Sequence, residues 1–211
     1  MQNRKIRKKN LTILVECAVM VGLAVVLSYF KIWEAPLGGS VTLFSMVPLI
    51  IIGLRRGPLW GLAASFVYST TYFIMDGGAA KLSGWGVAGA KNMILCVLLD
   101  YIVAYTVLGM AGFFKPALDK SSGRGKKIII TSAATLSVCV LRYISHVVVG
   151  AVLWYSITKA GNWNDYVHTV GAWMYSIVYN LQYMLPETVI TLVAAPAVVT
   201  VLAAVNRQRE K

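Results

Sequence analysis

The apolar residues of this chain neither alternate nor keep to one helical face. They run together in stretches long enough to cross a bilayer, and the polar residues collect between them. Six such stretches can be marked, at about 11–30, 41–54, 59–75, 92–114, 128–154 and 172–205. A helix needs roughly 20 apolar residues to cross the hydrocarbon core. The second stretch is short and contains Pro48, which predicts a tilted or partly unwound span. The sixth is too long for one straight helix and is interrupted by Pro186 and Pro196, each of which lacks a backbone donor and kinks a helix. The expected fold is an all-α integral membrane protein, a single six-helix domain over residues 1–211.

Composition agrees. Of the residues, 58% are hydrophobic and 13% charged, about half the ~25% charged share of a soluble domain. The basic start "MQNRKIRKKN" runs into a spanning segment without a small-residue cleavage site, so no cleavable signal is expected. A net charge of +12 raises the question of nucleic acid, but the cations sit in short clusters between apolar runs. That pattern fits loops beside anionic headgroups and argues against a duplex-binding face. With the N-terminus inside, the cytoplasmic pieces hold fifteen cations: Arg4, Lys5, Arg7, Lys8, Lys9, Arg55, Arg56, Lys115, Lys120, Arg124, Lys126, Lys127, Arg207, Arg209 and Lys211. The outer pieces hold four, Lys31, Lys81, Lys91 and Lys159, so both termini are expected on the cytoplasmic side. Cys17, Cys96 and Cys139 lie inside apolar runs with neither disulfide nor metal spacing and read as packing residues.

Ionisable groups inside a membrane need a partner or a cavity. Four stand out: Asp100, Arg142, His146 and Glu187. At 1.5 Å per residue, Asp100 and Asn180 lie roughly 12 Å and Arg142 roughly 18 Å below the outer ends of their spans, close to one level. Arg142 and His146 are four apart and share a helix face with Tyr143 beside them. Span six adds Tyr175, Tyr179, Asn180, Gln182 and Tyr183, and span four adds Tyr101 after Asp100. Two readings fit. One is an Arg142–Asp100 ion pair that only fixes helix packing. The other, favoured by the number of aromatics, is an outward-facing pocket for a flat, heteroaromatic, partly cationic ligand.

Other features are less specific. Glu16 fits a snorkelling role or a partner contact equally well. Ala18 and Gly22 make a small-xxx-small pair that permits close helix approach. Glu187 follows Pro186, whose freed backbone groups are expected to hold it. His168 reads as solvated, and Trp33, Trp85 and Trp163 as interfacial anchors. There is no HExxH, GxSxG, Walker-A or DDxxD pattern, so neither an enzyme nor a cofactor is expected, and active transport would need partners.

Four strings carry a resemblance: "GGSVTLFSMVPLIIIGLRRG", "LLDYIVAYTVLGMAGFF", "LRYISHVVVGAVLW" and "WMYSIVYNLQYMLPE". Together they resemble the thiamine-specific substrate-binding (S) components of energy-coupling factor (ECF) transporters. The resemblance implies a six-helix protein of the bacterial cell membrane that captures thiamine from outside. It also implies a transmembrane coupling protein and two ATPase subunits as partners. The family's ligand residues fall on Asp100, Tyr101, Arg142, His146, Trp154, Tyr175, Asn180 and Tyr68. Its small-residue docking face falls on Ala18, Gly22 and Ala24. Some members have glutamate and lysine where this chain has Asp100 and Arg142, and tryptophan at the positions of Tyr68 and Gly39. The alternatives are an S-component for riboflavin or a thiamine precursor such as hydroxymethylpyrimidine, a stand-alone facilitator, and a membrane enzyme using Asp100, Arg142 and His146.

Overall fold

The structure, a computed structural model, describes residues 2–36 and 38–207, with the backbone alone for residues 2–9, 206 and 207. Arg209 and Lys211 of the charge count therefore lie outside the described residues. Helix α1 (Gln2–Ser28) leads into an antiparallel hairpin of β1 (Lys31–Glu34) and β2 (Ser40–Thr42). Then come α2 (Val47–Arg56), α3 (Pro58–Met75) and a short α4 (Gly78–Gly84). Two long helices follow, α5 (Ala90–Lys120) and α6 (Arg124–Gly161). A 3₁₀ turn at Asp165–His168 precedes α7 (Ala172–Val193) and α8 (Ala195–Arg207).

Among the described residues, three helices are long and apolar enough to cross a membrane alone: α1 through Asn10–Ser28, α5 and α6. The α7–α8 pair, bent by 42°, makes a fourth if taken as one broken span. The expected second span is helical only from Val47 onward, as a partly unwound span would be. Its first residues pair in β2, and α2 has only 10 residues, about 15 Å of a ~30 Å core. Helix α3 has spanning length, but Ser65, Tyr68, Ser69, Thr70, Thr71 and Tyr72 dilute it. The outer surface is apolar, with Leu59 77% and Ile129 70% exposed, as lipid contact requires and water would penalise.

The break in the last span is at Ala194, not at Pro186, which sits inside an unbroken α7. Pro196 stands at the second position of α8, where its missing N–H costs nothing but cannot continue the preceding helix. The two ends of the bundle differ in charge. Glu16 Oε1 pairs with Arg55 at 3.0 Å, and Oε2 accepts from Arg56 Nε at 2.7 Å, tying α1 to the α2–α3 turn. Lys31 and Lys81 meet Asp76 beyond the far end of α3, about 27 Å of helix away.

What brings the half away from the hairpin together is glycine. A Cβ on Gly109 would stand 2.2 Å from the Gly61 carbonyl carbon, and one on Gly112 2.4 Å from the Pro58 nitrogen. Helices α3 and α5 therefore meet backbone to backbone, a closeness only small residues allow. Gly109→Ala should strain this contact by about 1–3 kcal/mol or more. It should lower the thermal unfolding midpoint in detergent and broaden the size-exclusion peak. Gly22→Ala, where a Cβ meets nothing within 4 Å, should leave both unchanged. Equal behaviour of the two variants would remove the seam from the account of the fold.

Candidate functional site

The two long helices change winding where they carry polar residues. Helix α5 is π-helical over Val97–Val103 and α6 over Gly150–Trp154. A π turn accommodates one extra residue and recurs at functional sites. The first segment presents Asp100 and Tyr101, and the second ends in Trp154. Around them, at the hairpin end of the bundle, opens a cleft of about 760 Å³, its solvent-open mouth included.

Asp100 is the best-anchored group in it. Its Oδ2 accepts from Trp154 Nε1 at 2.6 Å and from Cys96 Sγ at 3.5 Å, and its Oδ1 lies 2.8 Å from His146 Nδ1. An imidazole that donates through Nδ1 to a carboxylate presents Nε2 as a lone-pair acceptor. That Nε2 is buried and unbonded within the protein. The α7 wall is built from Tyr175, Ser176, Tyr179, Asn180 and Tyr183. Asn180 Nδ2 donates to the Ser176 and His146 carbonyls at 2.8 and 3.3 Å, and its Oδ1 accepts from the Tyr183 hydroxyl at 2.5 Å.

The Arg142–Asp100 ion pair is not formed. Arg142 is buried over the Tyr105 ring, 4.4 Å from its centroid, and donates to Met46 Sδ at 2.9 Å. The carboxylate it was expected to meet is held by His146 and Trp154 instead. Arg142 still lines the cleft, as do Asp100, Tyr101, His146, Trp154, Tyr175 and Asn180. The near-common depth of Asp100, Arg142 and Asn180 thus translates into one cavity. Tyr68 is not in the lining. It is fully buried, stacked on Tyr72 at 5.8 Å and edge-on to Tyr105 at 5.3 Å, so it backs the two tyrosines that do face the cleft.

Several lining residues have no sequence counterpart in the expectation. Trp85 is not an interfacial anchor: it faces the cleft, edge-on to Trp154 at 6.1 Å, with the Lys81 ammonium 4.7 Å above its ring. Its setting in "SGWG", after a glycine-rich loop, was the available signal. Asp76, Lys81 and Glu34 form a charged rim. Asp76 accepts from Lys81 at 2.9 Å and from the Tyr101 hydroxyl at 3.2 Å, and Lys31 pairs with Glu34 at 2.8 Å. On α1, Ala18 and Gly22 are exposed, whereas Ala24 is fully buried, because two residues past Gly22 the helix has turned to its opposite, core-facing side. Ala24 therefore drops out of the expected docking face. His168 Nε2 lies 2.9 Å from Asn162 Oδ1 in an exposed loop.

Glu187 is held by the hairpin and not by backbone freed at Pro186. Its Oε2 accepts from the Thr42 N–H at 2.5 Å and its Oε1 from the Thr42 hydroxyl at 2.6 Å. The same helix clasps the hairpin twice more. Tyr179 donates to the Gly38 carbonyl at 3.2 Å, and the Tyr183 ring lies so close to Gly39 that a Cβ there would stand 2.5 Å away. Gly39 also has φ +85°, a conformation that suits glycine. The tryptophan of some family members has no room here.

Comparison with known proteins agrees with this architecture. The profile of a family described as "Thiamine transporter protein (Thia_YuaJ)" matches residues 14–207. The thiamine transporter ThiT of Bacillus subtilis (strain 168) is 31% identical over 189 residues, spanning 87% of this chain and 88% of its own. ThiT of Lacticaseibacillus paracasei is 23% identical over 196 residues, covering 92% and 89%. A solved structure of ThiT from Listeria monocytogenes superposes with a TM-score of 0.69 at 22% identity, over 92% of this chain and 96% of that one; it establishes the shared fold.

The clasp generates a test. Glu187→Ala leaves the buried Thr42 N–H and hydroxyl without their acceptor, at about 1–3 kcal/mol for each group. Glu187→Gln keeps an acceptor for the N–H and offers the hydroxyl a donor. In hydrogen exchange, amides of residues 40–45 should lose protection in Glu187→Ala and largely regain it in Glu187→Gln. Unaltered protection in the alanine variant would mean that the hairpin is held by other contacts.

Proposed function

The chain belongs to the thiamine transporter protein family, and from that premise we propose that it is the thiamine-binding S-component of an ECF-type importer. It is a multi-pass protein of the bacterial membrane, and its relatives are transporters, not enzymes. In this reading one domain of six spans, with both termini in the cytoplasm, holds the cleft open to the outside. The observation that carries it is the Asp100 carboxylate, fixed by Trp154 and His146 in a cleft lined with aromatic rings.

Thiamine joins a neutral aminopyrimidine to a permanently cationic thiazolium. A carboxylate in a low-dielectric site offsets such a cation, and ring faces add a further attraction. Asp100 takes the first role, and Trp85, Trp154, Tyr72 and Tyr175 take the second. His146 Nε2, as an unoccupied acceptor, suits the exocyclic amine of the pyrimidine. Tyr101, Asn180 and Arg142 complete the polar recognition, and Tyr68 acts through the tyrosines it supports. The chain has no nucleotide-binding motif, so uptake draws on a membrane coupling protein and two ATPases. The exposed Ala18 and Gly22 of α1 provide a close-packing face for that contact.

Because Trp85 and Trp154 line the cleft, thiamine should quench intrinsic fluorescence saturably in purified protein, and riboflavin and biotin should not. Asp100→Ala should weaken thiamine binding about tenfold or more, since it removes the counter-charge of a buried cation. Quenching by another vitamin alone would reassign the ligand, and unchanged affinity in Asp100→Ala would remove that residue from the site. Gly22→Leu should abolish uptake in cells carrying the partner subunits while thiamine quenching persists. Normal uptake in that variant would move the docking face elsewhere.

A further inference from the structure

A second cleft, of about 520 Å³, lies at the other end of the bundle, where α2, α5, α6 and α8 converge. Its lining divides sharply. Leu54, Leu118, Val199 and Leu202 form an apolar floor, while Arg55, Lys115, Lys127 and Asp119 supply the charges of the lining. We propose that this cleft binds the phosphate headgroup of an anionic phospholipid from the cytoplasmic leaflet.

The charges are unequal. Asp119 is engaged by Lys115 in an i, i+4 pair, and Glu16 lies outside the cleft and is shared between Arg55 and Arg56. Lys127 has no carboxylate within 4.0 Å among the described residues. Arg124, three residues before it, reaches over to α8 and donates to the Thr200 hydroxyl at 3.4 Å, which holds a further cation beside Val199. The surplus is positive and a phosphate would neutralise it. Lipid is the favoured source because half the lining is apolar and because α5 leaves its apolar run at Phe114, 59% exposed Phe113 preceding it, just before Lys115. This places the cations at headgroup depth with an acyl-facing surface beside them. Basic pockets between helices on the cytoplasmic side are where anionic headgroups are held.

The inference rests on the orientation adopted in the proposed function, and its test separates the two. Purified, delipidated protein is mixed with equal phosphatidylglycerol and phosphatidylcholine and examined by native mass spectrometry, with thiamine quenching measured on the same sample. Wild-type protein should retain phosphatidylglycerol in preference to phosphatidylcholine. Lys127→Glu should cut that preference about tenfold, by reversing one charge at the headgroup. Lys91→Glu, in the first turn of α5 at the opposite end of that helix, should not change it. Thiamine quenching should be intact throughout, so loss of lipid preference with quenching retained bears on this cleft alone. Equal retention of the two lipids, or a preference untouched by Lys127→Glu, overturns the proposal. Displacement of the lipid by millimolar glycerol 3-phosphate also overturns it, in favour of a soluble phosphate. Should Lys127→Glu lose quenching, Lys127→Gln replaces it under the same criteria.

Discussion

A polar group in hydrocarbon has no water to fall back on, and this constraint orders the hairpin half of the protein. Asp100, Asn180 and Glu187 there are each answered by a side chain or backbone group from a different element. Asp100 on α5 is held from α6 by His146 and Trp154. The Ser145 hydroxyl of α6 donates to the Leu99 carbonyl at 2.6 Å, and Ser176 of α7 to the Val147 carbonyl at 2.7 Å. Glu187 draws β2 onto α7. The bonds that satisfy these groups are thus the bonds that hold the cleft walls together, so stability and site geometry share the same atoms.

The opposite half is built on a different principle. Its contacts are backbone against backbone at Gly61, Gly109 and Gly112, and its one carboxylate on α1, Glu16, is shared by Arg55 and Arg56. Dispersion at close range replaces hydrogen bonding as the cohesive force. One end of the molecule offers groups that a ligand can engage, and the other offers a packed base against which they are fixed.

Much of this is legible in the sequence, for physical reasons. The apolar runs at 92–114 and 128–154 fall within α5 and α6, and the run at 11–30 overshoots α1 by two residues, because runs of that length have few other uses. The depth of Asp100, Arg142 and Asn180 follows from helical rise, which is nearly invariant, and all three do line one cleft. What is not legible is pairing. Charge alone joined Arg142 to Asp100, but position along a helix does not fix which way a side chain turns, and the π turns alter exactly that direction. The hairpin was missed because "KIWEAPLGGSVT" is held by a carboxylate far along the chain, at Glu187, and its own pattern is too short to declare a strand. Ala24 was placed with Ala18 and Gly22 on size, yet two residues further along a helix lies on the opposite side.

The π segment of α5 has one more consequence. An α-helix advances about 100° per residue, so a single extra residue between positions 97 and 103 sets the azimuth of everything after it. Asp100 and Tyr101 face the cleft above, while Gly109 and Gly112 face α3 below. These two directions are set by the winding of α5, π-helical over Val97–Val103 and 3₁₀ over Val107–Phe114. In an alignment the segment is thus a position where a one-residue gap cannot be neutral: losing it would leave hydropathy, length and charge almost unchanged, yet turn the glycines away from their partner whenever the aspartate kept its own.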